Sequence, residues 1–482
     1  MKDTHNFIMQ PQCKELKALR EQSYEPNNIV CPLNKNVHKA INCDIIGSGY
    51  CNERIDNILE SIKGAYSNTH SNNNNGQHMS KLIEDSKDII RKHFNVNKDT
   101  YAVLFNGSGS TACINHFAHL LNLSPEWTVF ITENEHNSNI LPWKESQANV
   151  VVIPTEPITN KVNLRVLESY LSSCKSKYKL FACNAGSNVS GTCQDIKSIH
   201  NVTMNNRTLL FLDCAMLAPY VMIDANDCEG LAFSPHKFYG GDTTPGVLVC
   251  RKDLCFNDKP FCPGGGSVRM IYNDYKNNDI NVIYSNNIET RESSGTPNII
   301  GIIKIGLILK LKEQYYKYIH AREKYLAELL YTHLYYNVPN IRIMDIPKGL
   351  SRSQFKKIIQ DRIPVISFQV IYNGAPVHYN YIVKILSDHY GIQCRGGVQC
   401  SPFFAQKYLN KSSIENVRDK LLRGKGLDSC YGFVRISLNY LMRDDEIQTV
   451  LQAITEVATN VNKYIDYYQY DCSTNTYSCK VK

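Results

Sequence analysis

Short runs of apolar residues recur at even intervals between residues 101 and 250. They are Tyr101–Phe105, Trp127–Thr132, Asn149–Ile153, Lys179–Asn184, Leu209–Asp213, Gly230–Phe233 and Val247–Cys250. Most are apolar at successive positions rather than at alternate ones, the pattern of strands covered on both faces. Segments with helical periodicity lie between several of them, for example Thr111–Leu121 and Leu164–Cys174. This alternation predicts an α/β domain with a mainly parallel sheet of about seven strands.

Near Pro297 the pattern changes. Ile299 to about Tyr335 reads as one long, partly amphipathic helix. Beyond it, strands at Pro364–Ile371 and Phe433–Leu438 and helices at Val377–Tyr390 and Asp444–Tyr464 read as a smaller α+β domain. The expected organisation is an N-terminal arm (1–40), a large α/β domain (41–298), a long connecting helix (299–335), a small C-terminal α+β domain (336–466) and a loose polar tail (467–482). Asn68 to Asn75 reads as a low-complexity loop, and residues 404–430 as a polar, basic insertion.

A chain of 482 residues is too long for one core, since single cores stop growing at ~250–300 residues. Its 43% hydrophobic and 20% charged content is that of a globular protein. The net charge of +8 is not gathered into a basic block, which argues against nucleic-acid binding. No apolar run reaches the ~18 residues of a membrane span, and the N-terminus has no apolar leader. The 18 cysteines form no CxxC pair and read as reduced thiols of a cytoplasmic protein. His116 and His119 lie at i, i+3 without a third ligand in register, so no metal site is expected.

The candidate chemistry lies where the predicted strands end. Asn106-Gly-Ser-Gly109-Ser110-Thr111 follows a strand and opens a helix. Glycines, hydroxyls and a helix N-terminus suit a phosphate, and helix capping explains the same residues. Glu133-Asn-Glu-His136 ends the next strand. Its histidine could lie on an aromatic cofactor or stand in solvent. Asn188, in Asn184-Ala-Gly-Ser-Asn188, could donate to a cofactor oxygen or serve a turn. Asp213 ends an apolar strand, where a buried carboxylate needs a cation: a protonated pyridine nitrogen, or a neighbouring arginine. Ser234-Pro-His236-Lys237 then offers a lysine from a turn. A lysine, an anion and phosphate donors together fit a Schiff-base lysine holding pyridoxal 5′-phosphate. All five motifs fall at C-terminal strand ends, the edge where open α/β sheets bind ligands.

With these motifs in place, the chain resembles the class V aminotransferase family, in its cysteine desulfurase-like branch of fold-type I pyridoxal-phosphate enzymes. Three further segments carry the resemblance, which runs from about Asp44 to Glu446. Arg291-Glu-Ser-Ser-Gly-Thr296-Pro-Asn298 is similar to the family's Gly-Thr-Pro segment. Gly391-Ile-Gln-Cys-Arg395-Gly-Gly-Val-Gln-Cys400 is similar to its mobile cysteine loop. Phe433-Val-Arg435-Ile-Ser437 is similar to the strand bearing the substrate-carboxylate arginine.

The resemblance implies a homodimer in which Lys237 bonds the cofactor aldehyde and later moves the substrate α-proton. Asp213 would pair with the pyridinium nitrogen, His136 stack on the ring, and Asn188 donate to its phenolate oxygen. Gly109, Ser110, Thr111, Ser234 and His236 would cradle the phosphate, with Thr296 reaching the phosphate of the neighbouring subunit. Arg435, with Arg395 and Asn188, would take the substrate. Cys400 would accept sulfur from cysteine as a persulfide, leaving alanine and supplying a sulfur-acceptor protein. Met216 stands where the branch commonly has glutamine, and the polar insertion lengthens the segment between Cys400 and Arg435. These departures keep open an aminotransferase or other lyase on the same scaffold, and a non-catalytic scaffold.

Overall fold

The computed structural model describes residues 10–409 and 431–480, with Glu415, Arg418, Asp419 and Leu422 between them. Most of the insertion expected at 404–430 therefore lies outside the described residues; its first residues belong to a helix, Pro402–Tyr408.

Seven strands form the larger sheet: β1 (Tyr101–Asn106), β2 (Trp127–Thr132), β3 (Asn149–Ile153), β4 (Tyr178–Asn184), β5 (Leu209–Asp213), β6 (Gly230–Phe233) and β7 (Gly246–Arg251). Their order is β1-β7-β6-β5-β4-β2-β3. Only β7 runs against its neighbours; β6, β5, β4, β2 and β3 pair in parallel. The two-sided apolar runs are explained by two cores. Leu210 and Leu212 of β5, with Val247 and Val249 of β7, face a core shared with the helices Asn74–His93 and Ile299–Thr332. Phe211, Leu248 and Cys250 face the opposite core, under the helix Gly109–Leu120. A strand buried on both faces has nowhere to carry polar side chains except its ends.

The 34-residue helix Ile299–Thr332 starts at Asn298, whose side chain accepts from Gly301 N–H at 2.9 Å. Its first half packs Ile302, Ile305 and Leu309 into the larger core. Its last turns pack Leu326, Leu330 and Tyr331 under the second sheet. That sheet is antiparallel, ordered Ile341–Ile343, Val365–Tyr372, Phe433–Ser437, Arg395–Gly397. The mainly parallel seven-stranded sheet with a smaller α+β portion is the expected architecture.

Four segments differ from expectation. Within the arm expected at 1–40, the helix Lys14–Arg20 buries Leu16 and Leu19 in the larger core. The low-complexity loop ends at Asn73, which caps the helix Asn74–His93 by accepting from Gly76 N–H at 2.8 Å. The tail, expected to be loose, forms a hairpin of Tyr468–Asp471 and Thr476–Cys479. Its tyrosines pack on Tyr381, and Tyr468 donates to Asp388 at 2.9 Å. Finally, Val268–Asp274 and Asp279–Tyr284 form an exposed antiparallel ribbon.

Glu289 ties the segment before Gly295-Thr296 to the sheet. Its carboxylate accepts from Lys87 at 3.0 Å, Arg91 at 2.7 Å and the Val103 N–H at 2.8 Å. These donors hold its carboxyl below the usual range against the cost of burial. Glu289→Gln removes a charge shared by two buried cations, which keep only the exposed Glu84 and Asp88 as partners, so urea unfolding should show a loss of ~1–3 kcal/mol. A lowered folded-state pKa contributes stability above the ordinary glutamate pKa and loses it as pH falls. The deficit of the variant should therefore shrink on acidification.

Candidate active site

The C-terminal ends of β1, β2, β4, β5 and β6 surround a cavity of about 200 Å³. It is lined by Ser110, Thr111, His136, Asn188, Asp213, Ser234, His236 and Lys237 from the expected set, with Ser138, Asn184 and Met216 among its other walls. Gly109 backs it: its φ is +58°, and a Cβ there would lie 2.8 Å from Ser234 Oγ and 2.9 Å from His236. Only glycine fits that approach.

Lys237 ends a short 3₁₀ turn, Pro235–Lys237, and Asp213 ends β5. Burial pulls the lysine down to about 8, opposed by Asp213. Burial raises the Asp213 carboxyl, opposed by the Ala215 N–H at 3.0 Å and by Lys237. Among the described residues Asp213 has no ion-pair partner within 4.0 Å, so the arginine reading of its burial does not hold. The cavity can take a ligand that offers a cation to Asp213 and an electrophile to Lys237. At the other side, Ser234 Oγ accepts from Ser110 N–H at 2.9 Å and hydrogen-bonds Ser110 Oγ at 3.0 Å. These hydroxyls and the helix start at Gly109 suit an anion. The residues present therefore fit pyridoxal 5′-phosphate.

His136 stands between this cavity and a cleft of about 720 Å³ that also reaches Cys400. Burial, then Lys237, Arg395 and Arg435, push the imidazole down to about 4, so it is neutral at ordinary pH. The preceding Glu135 is fully buried. It accepts from Thr132 Oγ1 at 2.5 Å, Asn139 Nδ2 at 2.7 Å and Asn184 N–H at 2.8 Å, and burial still lifts it to about 8.

Cys400 does not sit on a free loop. Gln399 and Cys400 both have φ +57°, a left-handed pair that turns the chain sharply. Asn137 N–H donates to Cys400 O at 2.8 Å. The Asn188 amide donates to Gln399 O at 2.9 Å and accepts from Ser401 Oγ at 2.8 Å. Downstream, Lys407 pairs with Glu133 and donates to Thr155 Oγ1 at 3.0 Å, and Tyr408 donates to Asn160 at 2.7 Å. Asn188, expected to serve the cofactor, thus also holds the cysteine turn. Arg395 Nη2 lies 3.9 Å from Cys400 Sγ, a counter-charge for a thiolate.

Arg435 is buried in the second sheet, directly opposite Arg395. One like charge beside another is offset by Asp44, which pairs with Arg435 Nη2. Nη1 donates to Asn188 O at 3.3 Å, and the buried Nε has no partner among the described residues. Asp44 was missed because its only signal is sequence position; it follows a two-residue strand, Ile41–Asn42, that pairs with Ile392–Gln393. Thr296 lies away from the cavity and accepts from Asn68 Nδ2 at 3.2 Å. His116 is held by Asn106 at 2.9 Å and Glu292 at 3.0 Å, and His119 by Lys259 O at 2.8 Å. Among the described residues no three metal-type side chains gather, and no helix is long and apolar enough to cross a membrane.

The model of the family described as Aminotransferase class-V matches residues 48–450. The chain belongs to the class-V aminotransferase family. A cysteine desulfurase of Wigglesworthia glossinidia brevipalpis is 27% identical over 371 residues, 71% of this chain and 82% of that protein. A probable cysteine desulfurase of Haemophilus influenzae is 33% identical over 219 residues, 44% of this chain and 48% of that one. The apo cysteine desulfurase of Thermococcus onnurineus superposes with a TM-score of 0.71 at 20% identity, covering 94% of this chain and 99% of that one. The cysteine desulfurase CsdA of Escherichia coli gives 0.67 at 20% identity, over 88% and 95%.

Because Asn188 fixes both sides of Cys400, Asn188→Ala should loosen this turn selectively. Hydrogen-exchange mass spectrometry should show roughly five- to tenfold faster exchange across residues 397–402, from two lost bonds of about 1 kcal/mol shared over the turn. The strands β4 and β5 should be unaffected.

Proposed function

We propose that the chain is a pyridoxal 5′-phosphate-dependent cysteine desulfurase that converts L-cysteine to L-alanine and takes the sulfur on Cys400 as a persulfide. One observation carries this reading: the Lys237–Asp213 cavity adjoins, across His136, a cleft in which Cys400 is held with Arg395 beside its sulfur. The names of its relatives agree with it.

The cofactor, when bound, supplies an electron sink for the bond changes at the substrate's α- and β-carbons. Lys237 would hold it and, as an uncharged amine, move the α-proton. Asp213 would keep a positive charge on the ring nitrogen by supplying the anion it faces. His136, neutral and half-enclosed, would cover the ring and carry a proton between cavity and cleft. Ser110, Thr111, Ser234 and His236 would hold the phosphate. Arg435 would bind the substrate carboxylate, its unpartnered Nε providing a free donor. The Cys400 thiolate would attack the substrate sulfur: an S–S bond forms, the substrate C–S bond breaks, and its electron pair stays with carbon. Asn188 serves twice, as a donor to the cofactor oxygen and as the anchor of the thiol. Met216 lines the cavity without a polar donor, which leaves that oxygen to Asn188. A homodimer would bring Thr296 to the neighbouring phosphate. The persulfide would pass to a sulfur-acceptor protein in the cytoplasm.

The purified protein with L-cysteine and a reductant should release alanine and sulfide in equal amounts. Cys400→Ala should abolish sulfide release while keeping the visible absorption of the bound cofactor; full sulfide release would remove Cys400 from the reaction. Amino transfer to an added 2-oxo acid without sulfide would assign the site to an aminotransferase instead. Arg435→Lys keeps charge but loses the planar donor pair and should cost roughly 100-fold in kcat/KM. Lys237 is protonated below about pH 8, and bond formation to an aldehyde needs the free amine. Cofactor uptake by the apo protein, followed by absorbance, should therefore slow as pH falls through about 8.

A further inference from the structure

Ser138 joins two parts of the site that no expectation linked. Its backbone N–H donates to His136 Nδ1 at 3.1 Å. A nitrogen that accepts an N–H bond carries no proton, so the neutral ring holds its proton on Nε2. The Ser138 hydroxyl lies 3.1 Å from the same Nδ1. Facing a deprotonated nitrogen, it can only donate. When its proton points to Nδ1, its oxygen is left to accept from Thr111 Oγ1, 2.7 Å away. The proton order Thr111 to Ser138 to His136 satisfies all three contacts at once. All three side chains line both the cavity and the adjoining cleft.

We propose that Ser138 is a positioning residue that sets His136 as the Nε2–H tautomer and couples it, through Thr111, to occupation of the phosphate cradle. The coupling rests on the reading that Thr111 faces the cofactor phosphate. Thr111 has one hydroxyl proton. Given to Ser138, it strengthens the Ser138 bond to Nδ1. Given to a phosphate oxygen, it leaves Ser138 without its donor, and the bond to the ring weakens. Phosphate and imidazole thus draw on the same proton, and the linkage works in both directions.

The test uses the full-length chain freed of cofactor, labelled with ¹⁵N-histidine, with inorganic phosphate as the probe at neutral pH. His136→Gln identifies the resonances. In the wild type, His136 should show an acceptor-type Nδ1 and a protonated Nε2, and both should move as phosphate binds. In Ser138→Ala, which keeps the backbone N–H, the tautomer should persist but the response to phosphate should vanish. Phosphate should also bind roughly threefold tighter, because Thr111 has lost its competing acceptor. Ser138→Thr should restore the wild-type response, which separates the hydroxyl from any effect on folding. A protonated Nδ1 in the wild type overturns the tautomer assignment. An unchanged response and affinity in Ser138→Ala overturns the coupling. If phosphate binds neither wild type nor Thr111→Val in the cavity, the phosphate reading of the cradle fails, while the tautomer is still decided by the wild-type spectrum.

Discussion

A carboxyl and an amine share one water-poor cavity, and much of the site follows from that. Removing water disfavours the charged form of each: it lifts Asp213 and draws Lys237 down to about 8. Each is then partly restored by the other. Such a pair is kept only where the surrounding elements cannot collapse onto it. Here the sheet prevents collapse. Its strands are packed on both faces, so the polar groups leave the core together, at the edge where the strands end.

The cysteine turn is built the opposite way. It runs from the strand Arg395–Gly397 to a helix whose Phe404 and Ala405 are buried in a small core. It is held by single hydrogen bonds from loops after β2 and β4, and by a helix pinned to Glu133 and Asn160. Distributed anchors of this kind place a sulfur firmly while leaving its segment separable from the sheet. Asn188 is the economical part, since one amide faces the cavity and secures the turn.

The larger sheet was legible because burial on both faces writes continuous apolar runs, and all seven strands fall within a residue of the expected bounds. The cavity residues were legible because they sit directly after those runs. What stayed hidden depends on partners distant in sequence. Asp44 meets Arg435 through a two-residue strand. Ser138 and Glu135 matter through the hydrogen bonds of a tight turn, and residue type alone does not disclose these. The tail was misread because tyrosine counts as polar by its hydroxyl yet packs by its ring. The ribbon at 268–284 escaped because its apolar residues are exposed, giving no core-facing alternation.

The helix Ile299–Thr332 contributes side chains to both hydrophobic cores. At 1.5 Å per residue it is a rod of ~50 Å. Neither sheet can melt without stripping part of that rod of the packing from which most helical stability in proteins comes. Heat should therefore dissolve both portions in one cooperative transition, and calorimetry would record a single peak. Two sheets with separate cores would behave as one thermodynamic unit through a shared beam.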